Sequence, residues 1–374
     1  MPGRTLLLLL AAAAAAAGVA EALHAYGHAY SRPADFSDEE IRQVADRFEI
    51  FTVEKGCAVQ KYGPQSSTAA TIGTAKRIKR LDSHVKVLMY WNAAINYAMY
   101  ECEADVQPSW LIPGAGHHKQ SYYNYSVPAF RDWWVKCAVD AVRGSSGLLD
   151  GLFLDATPKV ADGQCFTAGP LAQRYWNEMV DQIRSRLGAA AVVIDNGFFL
   201  AGKYPHALQL AGESAWSHSG TTYTESIAGV GRWAAPPLPT ELEQAVEHLE
   251  WVANAADSHP TLTMIGHGNI ESNATDTGHL SPEFEFGLAK YMLVTHSISR
   301  GWFLANSGYS IDGGLLSQPK SVFTEAGVGC GEPTASFVRP DPKGYILTRS
   351  FQHGTVTVDV KAGTGRIRCG TQKH

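Results

Sequence analysis

The sequence has little charge and no extended basic run. Its 31 Lys and Arg stand against 36 Asp and Glu, a net charge of −5 over 374 residues. That balance excludes a nucleic acid as the principal partner. None of its six cysteines stands in a C-x-x-C pair, which excludes a zinc ribbon and a thioredoxin-like site. No glycine-rich phosphate loop follows any predicted strand, which argues against a nucleotide cofactor. The long apolar run, TLLLLLAAAAAAAGVA after Arg4, is short for a bilayer span of about 20 residues. What is present is an ordinary soluble composition, 45% hydrophobic, with nine Trp and fifteen Tyr. Aromatic rings suit sugar platforms, though they also fill cores.

The positive start, the short apolar core and the small residues at Ala20 and Ala22 predict a secretory signal peptide over 1–22. An uncleaved signal anchor is the competing reading. The mature chain is expected to be secreted, monomeric and without membrane contact beyond that leader. Six cysteines fit an oxidising compartment. Cys330 and Cys369 are expected to pair, because both lie in the tail, and the sequence leaves the other pairings open. Asn124-Tyr-Ser and Asn273-Ala-Thr are glycosylation acceptors in a secretory pathway.

Along the chain, Ser37-Asp-Glu-Glu40 is a capping box that opens a helix to about Asp46. Eight strands are then predicted, at 49–53, 85–90, 121–125, 152–155, 190–194, 207–211, 261–265 and 301–304. Helical patterns separate most of them, over 67–81, from Pro128, and over 171–187, 241–256 and 282–297. Strands alternating with helices imply parallel β-α units. Eight such units over ~250 residues predict a (β/α)8 barrel, an α/β fold, with a doubly wound open sheet as the runner-up. The barrel is expected over 23–315. The runs 345–349, 355–359 and 366–368 predict a small antiparallel β appendage over 316–374, packed on the barrel.

In such a barrel chemistry sits at the C-terminal ends of the strands. Two carboxylates end strongly apolar predicted strands: Asp155 after GLFL, and Glu213 in Gly212-Glu213-Ser-Ala-Trp216. A charge at the end of a buried strand is costly unless paired or used. Glycoside hydrolysis needs a carboxylate pair of this kind, one to protonate the leaving oxygen and one to attack or to activate water. Candidate substrate-binding residues are Lys55, Tyr90, Trp91, Asn92, Asp195, Asn196 and His267 near the other strand ends, with Trp216 and Trp302 joining Trp91 as rings for a sugar subsite. Each has a structural alternative. Asp195-Asn196-Gly197 is also a turn signal, and the tryptophans also suit a core. Glu54 and Lys55 also suit a mutual ion pair, and His267 has no second His or Cys at ligand spacing.

The stretches FSDEEI, VKVLMYWN, VPAFRDWWVKCA, GLLDGLFLD, AVVIDNG, LAGESAW and CGEPTASFVRPDPKGYILTRSF, in this order, resemble the hypothetical glycosyl hydrolase barrel families. These are distant relatives of endo-α-1,4-polygalactosaminidases and of the α-galactosidase clan. The resemblance runs from about Ala34 to Phe351. Asp150-Gly-Leu-Phe-Leu-Asp155 matches the families' D-G-x-x-x-D element, and Glu213 their glutamate near strand six. The relatives often carry a bulky apolar residue where this chain has Gly212. The clan's nucleophile on strand four and acid/base on strand six imply Asp155 as nucleophile and Glu213 as acid/base. They imply a retaining hydrolase of a poly- or oligosaccharide that needs no cofactor or metal. Two other readings remain: a carbohydrate-binding barrel without catalysis, and a metal site built on His24 and His28 at helical i,i+4 spacing.

Overall fold

Near-continuous apolar strands need cover on both faces, and a ring of helices round a closed parallel sheet supplies it. The structure is a computed structural model that describes residues 24–29, 32–112, 120–161, 165, 169–198, 221–224, 237–258, 263–269, 282–298, 302–306 and 329–370. In chain order its elements begin with β1 (His24–Ala29), α1 (Asp38–Arg47), β2 (Ile50–Val53), α2 (Val59–Tyr62), α3 (Ser67–Leu81) and β3 (Lys86–Asn92). An excursion follows with β4 (Ile95–Asn96), a 3₁₀ helix (Glu101–Asp105), β5 (Leu111–Ile112) and β6 (Ser121–Tyr123). Then come α4 (Pro128–Gly144), β7 (Gly151–Asp155), α5 (Thr157–Ala161), α6 (Gly169–Leu187), β8 (Val192–Phe198) and β9 (Thr221–Thr224). The chain continues through α7 (Pro239–Ser258), β10 (Thr263–Asn269), α8 (Pro282–Val294) and β11 (Trp302–Asn306) to β12 (Ile346–Phe351), β13 (Gly354–Asp359) and β14 (Thr364–Cys369).

Eight parallel strands close into a barrel in the order β1-β2-β3-β7-β8-β9-β10-β11. The expected (β/α)8 class therefore holds, but its strand count is reached differently. The first barrel strand is β1, which HAYGHA hides by mixing polar and aromatic residues without an apolar run. The expected third strand, 121–125, is β6 of the small antiparallel sheet β4-β6-β5, outside the barrel. These two errors cancel, so Asp155 still ends the barrel's fourth strand. The barrel's sixth strand is β9, at Thr221–Thr224, and the expected strand at 207–211 lies outside the described residues. Glu213 thus precedes the barrel's sixth strand in the chain.

Local signals account for most helix starts. Ser37 Oγ accepts from the Glu40 backbone N–H at 3.1 Å, and Glu40 accepts from the Ser37 N–H at 2.6 Å, the reciprocal cap expected of α1. Pro128 sits in the first turn of α4, where its missing N–H costs nothing. At the N-terminus of α3, the Glu101 carboxylate from the 3₁₀ helix accepts from the N–H groups of Thr68 and Ala69 at 3.0 and 2.9 Å. A negative group there also suits the helix dipole.

The D-G-x-x-x-D element divides its work between the two ends of β7. Asp150, at the N-terminal end, accepts from the Val87 N–H at 2.8 Å and pairs with Lys79 at 2.7 Å and Lys86 at 3.3 Å. Gly151 leaves no space for a side chain, since a Cβ there would stand 1.8 Å from the Val192 carbonyl oxygen. Asp155 ends the strand at the other face of the barrel.

Strands β12, β13 and β14 form the antiparallel appendage, and it packs on α8. Arg349 of β12 is its anchor. The buried guanidinium donates to the carbonyls of Leu293 and Thr295 at 2.7 and 2.6 Å, and its Nε to Ala335 O at 2.9 Å. A cation suits these last carbonyls of α8. A disulfide joins Cys330 to Cys369 and so ties the lead-in of the appendage to the end of β14.

Two predictions follow from packing. Gly151→Ala is expected to destabilise by about 3 kcal/mol or more, because backbone on β8 must move; denaturant unfolding measures this, and a neutral result contradicts the close approach. His248 of α7 is 3% exposed, and neither of its ring nitrogens has a hydrogen-bond partner among the described residues. Burial, and secondarily Lys290, pull its pKa down to about 4. An unfolded histidine titrates near 6.5. The folded value is the lower one, so the stability it reflects is complete above pH 6.5 and lost as pH falls towards 4. His248→Phe is expected to flatten the loss of stability over that window, as read by urea midpoints at stepped pH.

Candidate active site

Side chains alternate along a strand, so residues two apart share a face. On β1, Tyr26 and His28 share one face, and the Tyr26 hydroxyl meets His28 Nδ1 at 3.0 Å. It also meets Thr52 Oγ1 of β2 at 2.7 Å. On β3 the same face carries Tyr90 and Asn92, on β7 Phe153 and Asp155, and on β8 Ile194 and Asn196. The registers Tyr90↔Phe153 and Asn92↔Asp155 put these side by side. His28 stands edge-on to Phe153, with ring centroids 4.7 Å apart, which places this face inside the barrel.

Asp155 is the end point of the inward face, half-buried among more buried neighbours. The Tyr90 hydroxyl and Asn92 Nδ2, the latter at 3.3 Å, donate to its Oδ2. Asn196 Nδ2 donates to its Oδ1 at 2.8 Å. Asn92 Nδ2 also donates to the Tyr90 hydroxyl at 2.7 Å, so the donors are themselves fixed. Burial, then the charges of Asp155 and Glu54, push the Tyr90 phenol well above its ordinary value, so it stays a donor. The residue after Asp155, Ala156, is in the left-handed region at φ 65°, uncommon for a residue with a Cβ. That turn takes the chain off the strand and into α5.

Beside Asp155 lies a second charged group. Lys55 Nζ donates to Glu54 at 2.8 Å and stands 4.1 and 4.4 Å from the ring centroids of Tyr90 and Tyr97. Burial would lower its pKa, but Glu54, then Tyr97 and Asp155, raise it, so Lys55 remains an ammonium. Glu54 is buried too, yet the Lys55 charge and a His28 hydrogen bond at 3.3 Å outweigh burial and lower its pKa. Glu54 is thus held ionised against Lys55, and Asp155 is the carboxylate here that keeps a partly open face.

Of the predicted site residues, Asp155, Tyr90, Asn92, Asn196 and Lys55 come together. Two others turn away. Asp195 is registered with Leu154 and faces the helices, fully buried, with Thr157 Oγ1 on one oxygen at 2.6 Å and Trp176 Nε1 on the other at 3.0 Å. Trp91 lies on the outward face of β3, edge-on to Tyr100 at 4.8 Å and beside Trp134. Neither faces the mouth, because each is one residue out of phase with it. Trp302 begins β11 and is registered with His24, which puts it at the end of the barrel opposite Asp155. His267 is towards the C-terminal end of β10, registered with Leu304. Glu213 and Trp216 lie outside the described residues.

The His24 and His28 spacing belongs to a strand, not a helix. His24 Nδ1 meets Glu49 at 2.6 Å, while His28 is engaged by Tyr26 and Glu54. Among the described residues no group of three His, Cys, Asp or Glu side chains is placed to hold a metal ion. Sequence reasoning missed Tyr26, His28 and Tyr97 as parts of this cluster. Tyr97 follows the strand end Asn92 by five residues, and that proximity was the available signal.

Asp195→Ala is expected to lower stability by about 2–3 kcal/mol, since it leaves Thr157 and Trp176 without their buried acceptor. Ligand affinity is expected to change little. A melting temperature unchanged beside lost affinity would reverse that assignment.

Comparison with known proteins gives the following. The model of hypothetical glycosyl hydrolase family 15 matches residues 79–355. No curated protein matches the chain. The α-amylase from Lactobacillus plantarum superposes with TM-score 0.53 at 8% identity, covering 89% of this chain and 87% of that one. The α-amylase from Geobacillus thermoleovorans gives 0.52 at 10% identity, covering 89% and 85%. Ega3 of Aspergillus fumigatus, solved with galactosamine, gives 0.45 at 10% identity over 78% and 93%. The two amylases share the barrel fold with this chain.

Proposed function

The chain belongs to hypothetical glycosyl hydrolase family 15, and from that premise we propose a secreted, retaining glycoside hydrolase in which Asp155 is the nucleophile and Glu213 the acid/base. The observation that carries the reading is Asp155 itself. It ends the fourth barrel strand, faces the mouth and has both oxygens oriented by side-chain donors. Orientation of this kind lets a carboxylate reach an anomeric carbon without first being ordered. Glu213 is chosen by its place in LAGESAW and by the resemblance to clans with an acid/base glutamate.

In the first step a carboxylate oxygen of Asp155 attacks the anomeric carbon, and Glu213 gives its proton to the leaving oxygen. In the second, Glu213 takes a proton from water as that water attacks the glycosyl ester and frees Asp155. Lys55 and Asn196 supply donors for sugar hydroxyls beside Asp155, Asn92 orients that carboxylate, and Tyr97 supplies a ring. The substrate is a poly- or oligosaccharide, taken by a single copy of the chain. Secretion is supported by the predicted leader over 1–22 and by the Cys330–Cys369 disulfide.

The test is a panel of α- and β-linked polysaccharides offered to the wild type, Asp155→Asn and Glu213→Gln. Both variants are expected to fold and to lose at least about 10³-fold in kcat/KM. Proton NMR of the first product is expected to show retained anomeric configuration, the outcome of a carboxylate separation of ~5–5.5 Å. A folded Asp155→Asn protein with wild-type turnover contradicts the assignment. Binding without cleavage by the wild type replaces it with a carbohydrate-binding barrel.

A further inference from the structure

The excursion between β3 and α4 carries much of one wall of the mouth. Tyr97 lies against Lys55, the Tyr100 hydroxyl donates to the Tyr90 carbonyl, and Tyr125 donates to the Ala93 carbonyl at 2.7 Å. Buried Glu103 of the 3₁₀ helix accepts from the Met99 and Tyr100 N–H groups at 2.6 and 2.9 Å and from the Tyr123 hydroxyl at 2.9 Å. The position of this short helix therefore sets where Tyr97 and Tyr100 stand. Its outer side faces a cavity of about 500 Å³ lined by Ile72, Glu101, Cys102, Trp133, Cys137 and Asp140.

Cys102 from the 3₁₀ helix and Cys137 from α4 line this one cavity, and the Cys137 thiol is near enough to Cys102 to push its pKa up. Both are present as thiols. Cys57 and Cys165 are buried elsewhere, Cys165 with its sulfur 3.9 Å from the Ala94 carbonyl. From this juxtaposition we infer that Cys102 and Cys137 form a second disulfide, which staples the wall-forming excursion to α4. The bond closes a loop spanning 102–137, which includes all of the small sheet except β4. It restricts the unfolded chain, and in the native state it fixes the 3₁₀ helix that positions Tyr97.

The oxidant is a disulfide, supplied by glutathione or by a protein of an oxidising compartment. One protein thiolate attacks it and releases one thiol. The second protein thiolate then displaces the other half, so two thiols are oxidised and one disulfide is reduced to two thiols. This inference does not depend on hydrolytic activity.

The experiment uses the full chain in a glutathione redox buffer, at a potential where Cys330–Cys369 is fully oxidised. Remaining thiols are blocked with N-ethylmaleimide and the peptides mapped by mass spectrometry without reduction. The expected result is a peptide pair joined through Cys102 and Cys137, lost after dithiothreitol and absent from Cys102→Ser, in which Cys137 carries the label. The oxidised wild type is expected to melt about 3–6 °C above Cys102→Ser/Cys137→Ser. Recovery of both residues as labelled thiols while Cys330–Cys369 is intact overturns the inference. So does a bond from either one to Cys57 or Cys165.

Discussion

Strand alternation decides the chemistry of this barrel's mouth. Asp155 and Asp195 end up near each other at the same end of adjacent strands, yet the register pairs Leu154, not Asp155, with Asp195. One carboxylate therefore points into the mouth and the other into the helical layer. The inward one meets Tyr90, Asn92 and Asn196, each of which is in phase with it. The outward one meets Thr157 and Trp176 and becomes part of the framework. A slip of one residue between β7 and β8 would turn Asp195 inward beside Asp155 and send Asn196 out of the mouth. Gly151, with no room for a Cβ beside Val192, lets the two strands approach closely where that register begins.

The same logic explains how a barrel mouth carries several charges at low cost. Glu54 and Lys55 are both largely buried and pair at 2.8 Å, and His28 meets Glu54 at 3.3 Å. Burial alone would neutralise Glu54 and Lys55, but their mutual attraction keeps both ionised. That leaves Asp155 as a carboxylate supported by neutral donors instead of an ion pair. A neutral hydrogen-bond setting orients the group without binding it as tightly as a cation would. The glycosidase reading draws on this contrast between the paired Glu54 and the poised Asp155.

The fold class was legible because it rests on periodicity. Ser37-Asp-Glu-Glu, Pro128 and the run GLLDGLFLD each announce an element through local chemistry, and each element forms where expected. β1 was illegible because its inward positions, Tyr26 and His28, are polar-tipped residues that satisfy one another and Thr52, so no apolar run marks the strand. Ser121–Tyr123 reads as a barrel strand because tyrosines favour strands anywhere; only tertiary pairing with β4 and β5 sends it to the small sheet. In the site, Asp155, Asn92 and Asn196 were legible as polar residues closing apolar strands. Trp91 and Asp195 were misjudged because strand-end position was used without parity. Trp302 starts its strand, at the end of the barrel away from Asp155.

The central claim is that the inward-facing Asp155 forms the covalent bond to sugar. The most direct measurement is rapid acid quenching of the Glu213→Gln protein during turnover of an activated glycoside of the sugar it cleaves, followed by peptide mass spectrometry. The account predicts a glycosyl ester on the peptide carrying Asp155, and none on the one carrying Asp195. An ester on another carboxylate, or no ester together with an inverted product, would contradict it.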